Sequence, residues 1–529
     1  MWGNKKQGRW YRYVIQLMVI TLILTSIPMH GWAEEAPPFT PSPNSEQIPV
    51  ERQAKKELPA PHPDQLKKKK RTVEKPTEVV EERTETEKVF DNHDGTFTKQ
   101  VYTEPIHTEK EGKLETVSPQ LVEAPNKKIV TENTALQPTF EKEVQEGKYA
   151  QFQVKDHSIQ YTLLGANGDA GEIKPSSVTA THENNTVWYK GIFPNIDLKS
   201  TTFNENVKED FVLREYTGHH IFTFALETDL TPSLQEDGSI HFQDGKGEHI
   251  FTLPKPYMND SHVDPQSGEA TTSEDVRYSM EKTDEKTYTL TVTADPKWLQ
   301  APERQYPVYI DPSIDIEDFE NAYSSSAYPA VNYSGGKLWD GGQHAYTLKV
   351  GYYDGASGTN FAFIKPQISD LKGAKIESAT FHAYAVWHYY GNQPNGVWLD
   401  EVTGSWNTGG VTWNNKPGST NIAHADVGRG QWAHFNVTNT VKAWADGTKP
   451  NNGFKLHTNG NGQNHWKKFI AAENGTHAPY VEVKYSYAKP NKPNVQAYSN
   501  GSDSKSGHFN IQWDAAPGAT GYKIAIFNG

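Results

Sequence analysis

Cysteine is missing from all 529 residues. That absence excludes disulfides, thiolate metal sites and cysteine nucleophiles together. A chain without cysteine must hold its fold through packing or bound ions. Long apolar runs are equally scarce: beyond the N-terminal segment none is long enough to span a bilayer. Excess positive charge is missing too. The 52 Lys and Arg face 65 Asp and Glu, a formal net charge of -13, which argues against nucleic acid as a partner. HExxH and GxSxG signatures do not occur. The adjacent acids Asp400 and Glu401 are the kind of pair any solvated turn supplies in so acidic a chain, so the region is read as non-enzymatic.

What is present begins with an export signal. Lys5, Lys6, Arg9 and Arg12 precede the apolar run Val14–Leu24, and Gly31-Trp-Ala33 offers small residues for cleavage. Residues 1–33 are therefore expected to be a signal peptide, and the mature protein secreted, with no transmembrane anchor. Residues 34–88 are rich in Pro, Lys and Glu and lack apolar periodicity, the composition of a disordered linker. Its basic run Lys67–Arg71 is read as a solvated charge cluster.

Residues 89–312 are then punctuated by short alternating runs, among them Phe97–Tyr102, Ile221–Leu226 and Tyr288–Thr293. Asn92-His-Asp-Gly-Thr96 reads as the turn of a hairpin. With no long helix in view, this predicts an all-β N-terminal region of one or two sandwiches. Residues 314–488 repeat the pattern with many aromatics: eight of the chain's 14 tryptophans lie here. Their charge is close to neutral, 13 Lys and Arg against 14 Asp and Glu between 313 and 488. Thr438–Asp446 is the one helical-looking stretch, so a jelly-roll capped by a short helix is expected. Residues 489–529, with Phe509-Asn-Ile-Gln-Trp513 and Pro517-Gly-Ala-Thr-Gly-Tyr522, resemble the first half of a fibronectin type III domain, and an incomplete sandwich implies a longer protein.

Two sets of three stretches each carry a family resemblance. Val411-Thr-Trp-Asn-Asn-Lys-Pro417, Trp432-Ala-His-Phe-Asn-Val-Thr438 and Pro479-Tyr-Val-Glu-Val-Lys-Tyr485 resemble the DNRLRE domain, a jelly-roll of secreted bacterial proteins similar to carbohydrate-binding modules. Phe193-Pro-Asn-Ile-Asp-Leu198, Asn204-Glu-Asn-Val-Lys-Glu-Asp210 and Gly453–Gly462 resemble the N-terminal region of WapA-type wall-associated proteins of Gram-positive bacilli, within the Rhs/YD-repeat toxin family. The resemblance implies export and wall association. It also implies that YD repeats and a C-terminal toxin, absent from this sequence, belong to a full-length form.

Aromatics in loops, beside amides and charges, suit stacking on sugar rings. Tyr352 and Tyr353, Tyr389 and Tyr390, and Trp466 with Lys467 are the candidates for binding cell-wall glycan or another carbohydrate. Trp413, Trp432 and Trp444 fit the strand and helix pattern and are expected in the core. No cofactor is required by this reading. Calcium is the one ion considered, with Asp311, Asp315 and Asp318 as oxygen ligands. The alternative functions are a passive stalk that displays an effector and, behind it, a polysaccharide-cleaving enzyme.

Overall fold

Alternation decides most of the chain. In Thr287–Ala294 every second residue (Tyr288, Leu290, Val292, Ala294) is buried, and the intervening threonines are half-buried. Threonine and the branched or aromatic residues both suit a pleated strand, so such segments have no competing helical reading. A computed structural model describes residues 74–316, 321–368, 371–391, 393–460, 462–488, 494–499 and 507–513. The signal peptide, the linker to residue 73 and Asp318 lie outside these residues.

Residues 118–315 form a β-sandwich. One layer has eight strands, with 157–168 and 219–228 at its centre. The other has eleven and includes 186–193, 196–202 and 206–213. A single apolar core joins them, in which Phe211 and Phe222 stack at 3.8 Å and Tyr149 meets Tyr161 and Tyr189 edge to face. Glu209 sits in this core. It accepts hydrogen bonds from the Tyr149 hydroxyl (3.0 Å) and Ser200 Oγ (2.7 Å), and burial pushes its carboxyl up to about 7.

The second body is a jelly-roll sandwich. We label its strands in chain order: β1 (Glu87–Asp91), β2 (Phe97–Tyr102), β3 (Asn321–Ser325), β4 (Ala345–Tyr352), β5 (Thr359–Ile364) and β6 (Lys375–His388) come first. They are followed by β7 (Asn395–Val402), β8 (Ser419–Val427), β9 (Gln431–Asn436), helix α1 (Thr438–Ala445), β10 (Phe454–His457), β11 (Lys467–Ile470) and β12 (Tyr480–Ser486). One layer runs β2-β12-β6-β9, with β11 and β4 continuing it beyond a bulge in β6. The facing layer is β3-β5-β10-β7-β8. Phe381, Val481 and Phe469 from the first layer meet Leu399, Phe454 and Leu456 from the second. Helix α1 buries Val441 and Trp444, three residues apart as the sequence suggested, against this core.

Two features depart from the linear reading. Residues 74–88, expected as disordered linker, include a short strand at Thr77–Glu78 and an Arg83–Glu78 ion pair, because the strand extends the β1 edge. The hairpin β1–β2 forms as the turn residues dictate, with Gly95 at φ +88°. It then pairs along β12, far away in sequence, and so extends the C-terminal sheet. In residues 489–529, where a fibronectin type III start is expected, 494–499 and 507–512 form a two-stranded antiparallel pair; apart from Trp513 the remainder from 489 on lies outside the described residues.

Candidate functional site

The loop aromatics do converge at one end of the jelly-roll. Tyr353 lies 5.9 Å from Trp466 and 6.4 Å from Tyr389, and Tyr389 lies 5.1 Å from Tyr390. Part of this cluster is nevertheless covered. The turn 264–268 of the N-terminal sandwich packs over them, with the Trp466 indole N–H donating to the Ser267 carbonyl (2.7 Å) and the Trp387 indole to Gln266 (3.0 Å). The Tyr353 hydroxyl donates to Asp264 (3.3 Å). Trp466 and Lys467 are fully buried, which removes both from the surface available to a ligand. Tyr352, Tyr353 and Tyr389 are half-buried, and Tyr390 alone of the six is well exposed, at 50 %.

The turn is held by charge. Lys468 is fully buried and reaches Asp340 (2.6 Å), Glu269 (2.9 Å) and the Gly268 carbonyl (2.8 Å). Lys349 closes the set on Glu269 at 2.7 Å. Gly268 is obligatory: its φ is +69°, and a Cβ there would stand 2.6 Å from the Trp387 ring. On strand 206–213 the Lys208 ammonium pairs with Asp210 (2.5 Å) and Asp311 (3.2 Å) and lies 5.4 Å from the Trp339 ring of the jelly-roll. Asp311 is thereby engaged, and its Oδ1 also accepts the Ser313 N–H. Among the described residues no three acidic or histidine groups converge as a metal site. Asp400 and Glu401, being successive on β7, point apart: Asp400 binds Lys455 and His457, Glu401 binds Lys449 and Trp444.

An open aromatic surface lies elsewhere, on the outward face of β2-β12-β6-β9. Strand register places Tyr102, Tyr480, His382 and His434 in one row straight across four strands. Three strand spacings make that row about 14 Å long. Tyr102 stacks on Tyr480 at 5.2 Å, Tyr480 on His382 at 4.4 Å, and His382 and His434 approach at 2.7 Å between their Nδ1 atoms. The next row pairs Tyr384 with Trp432 (5.4 Å), and His477 stacks on Tyr384 at 4.1 Å. Behind the first row, Gln100 Nε2 donates to Glu482 (3.2 Å). Trp432 is thus not a core residue: Ala433 and Phe435 take the inward phase of β9, and Trp432, His434 and Asn436 share the outer one. Trp413 is also only half-buried, beneath Lys416 and against Phe361, whereas Trp444 is in the core as expected.

Rings stacked in parallel spend their faces on one another and offer edges, hydroxyls and ring nitrogens to a ligand. Trp432 stands at 68–83° to Tyr384, Tyr480 and His382, and has no parallel partner among the described residues. Its face is the one suited to a sugar ring. A cleft of about 300 Å³ opens beside the row, lined by Tyr102, Glu104, Phe203, Glu205 and Thr476.

His382 gives this face a pH response: burial, then the neighbouring His434, lowers it to about 4. In the interior, at the end of β6, burial and then Lys467 lower His388 to about 4 as well. A histidine depressed from its usual 6.5 binds its proton more readily in the unfolded chain. Its contribution is therefore intact above pH 6.5 and is lost as pH falls toward 4. In denaturant titrations between pH 6.5 and 4, His382→Phe is expected to lose less stability on acidification than the parent chain; parallel declines would refute this.

Residues 315–485, which make up most of this sandwich, match carbohydrate-binding module family 96. The whole chain is 41% identical to "tRNA nuclease WapA" of Bacillus subtilis and to "tRNA3(Ser)-specific nuclease WapA" of Bacillus spizizenii, in each case over 99% of this chain and 22% of the relative. It is 42% identical to "Wall-associated protein" of Geobacillus stearothermophilus, over 48% of this chain and 96% of that protein. The chain belongs to the family of WapA wall-associated proteins. It spans about a fifth of the length of the two WapA nucleases it matches.

Proposed function

We propose that this chain is the secreted, wall-associating region of a larger surface protein, and that it binds cell-wall glycan through the outer face of β2-β12-β6-β9 without catalysing a reaction on it. The observation that carries the reading is the aromatic face itself. Natural chains rarely leave so many contiguous rings in reach of solvent unless a ligand covers them. The match to a carbohydrate-binding module family supports the ligand class, and the wall-associated relatives support the location. The N-terminal sandwich, clasped at 264–269, then acts as a mount that fixes the module's orientation. The nuclease activity in the relatives' names belongs, on this reading, to parts of those proteins outside the shared fifth.

Incubating residues 34–529 with purified peptidoglycan and with wall teichoic acid, then sedimenting or gel-shifting the complexes, tests the proposal. Saturable binding to either polymer, with no release of reducing ends, is the expected result. Failure of the folded chain to bind both polymers favours the passive stalk, and reducing-end release would make the region an enzyme.

A further inference from the structure

Four lysines are buried in the described residues: Lys99, Lys208, Lys467 and Lys468. Three face carboxylates, namely Glu87, the pair Asp210 and Asp311, and the pair Asp340 and Glu269. Lys467 faces an amide. Its Nζ lies 2.5 Å from Asn395 Oδ1, and its other polar contacts are the carbonyls of Gly396 (3.3 Å) and His465 (3.5 Å). With a C=O bond of about 1.23 Å, that contact places Asn395 Cγ within about 3.7 Å of Nζ. This is close to the separation of a reacting pair.

The surroundings fit the same chemistry. The Tyr390 backbone N–H donates to His388 Nδ1 (3.0 Å), so the neutral ring carries its proton on Nε2 and donates to Asn395 Oδ1 (3.0 Å). The amide nitrogen of Asn395 is held by the Asn464 carbonyl. Burial lowers Lys467 to about 7, leaving a substantial share of uncharged amine at neutral pH.

We propose that Lys467 and Asn395 condense to an intramolecular amide crosslink with loss of ammonia, His388 serving as the hydrogen-bond donor to the oxyanion. The Nζ lone pair attacks Cγ, forming the C–N bond and moving the carbonyl electrons onto Oδ1, where the His388 Nε2–H stabilises them. A proton passes from Nζ to Nδ2, the Cγ–Nδ2 bond breaks as the carbonyl reforms, and ammonia leaves. No oxidant or cofactor is needed. The product ties the start of β7 in one layer to the start of β11 in the other. It would supply a cysteine-free chain with a covalent staple across its sandwich.

Intact-mass analysis of the purified chain, followed by tryptic digestion, decides the matter without any variant. The expected result is a mass one ammonia below that of the sequence and a branched peptide joining the Asn395 and Lys467 segments. Lys467→Arg and Asn395→Ala are expected to restore linear peptides, and His388→Asn to slow the appearance of the branch. A mass equal to that of the sequence overturns the proposal. So does ammonia loss with Lys467 recovered in a linear peptide, since a succinimide at Asn395–Gly396 would explain that outcome.

Discussion

Trp432→Ala is expected to weaken binding of the chain to wall glycan by roughly thirtyfold while leaving the fold intact. Truncating an aromatic at the centre of a binding surface typically costs about 2 kcal/mol or more, and 1.4 kcal/mol is tenfold in affinity. Trp432 fits that role because its ring is half-buried, crosswise to Tyr384, Tyr480 and His382 and tilted at 57° to His477, with no stacked partner among the described residues to share its face. Stability should change little, since Ala433 and Phe435 supply the inward side of β9. Tyr480→Ala should also weaken binding, with some loss of order in the row, because Tyr480 stacks on both Tyr102 and His382. Tyr390→Ala, at the covered end of the sandwich, should leave affinity unchanged. Co-sedimentation isotherms for the three variants check this; equal affinities for Trp432→Ala and parent chain would count against the assignment.

The second large effect concerns stability. Lys468→Met is expected to destabilise the folded chain by about 3–5 kcal/mol, because it strands the buried Asp340 carboxylate without a counter-charge and leaves Glu269 to Lys349 alone. Adding Asp340→Asn to Lys468→Met, which leaves the Glu269–Lys349 pair in place, should recover a large part of the loss, since an absent pair costs less than a broken one. Denaturant midpoints measure both. Protease cleavage within 264–269 should rise in the single variant as the turn loses its anchor. An unchanged midpoint would mean that the clasp contributes nothing to holding the two sandwiches together.

The strands of both bodies were legible because their alternation is clean, as in Thr287–Ala294, and helix α1 because Val441 and Trp444 share one helical face. The β1–β2 hairpin was legible for its turn but not for its partner, because register with β12 is fixed by contacts far apart in the chain. Alternation also names two faces of a strand without saying which is covered. In Gln431–Asn436 one phase holds Trp432 with His434 and Asn436, the other Ala433 with Phe435. The polar company of Trp432 was the available signal for an outward ring. Trp466 reads as a loop aromatic because the turn that buries it comes from Ser267, about 200 positions earlier.

Hydroxyl-radical footprinting of the chain with and without wall glycan tests the placement of the binding face most directly. Protection on binding should concentrate on Trp432, Tyr480, Tyr384 and Tyr102, with Tyr390 equally reactive in both states. Protection confined to Tyr390 and its loop neighbours, with Trp432 and Tyr480 unchanged, would contradict the account.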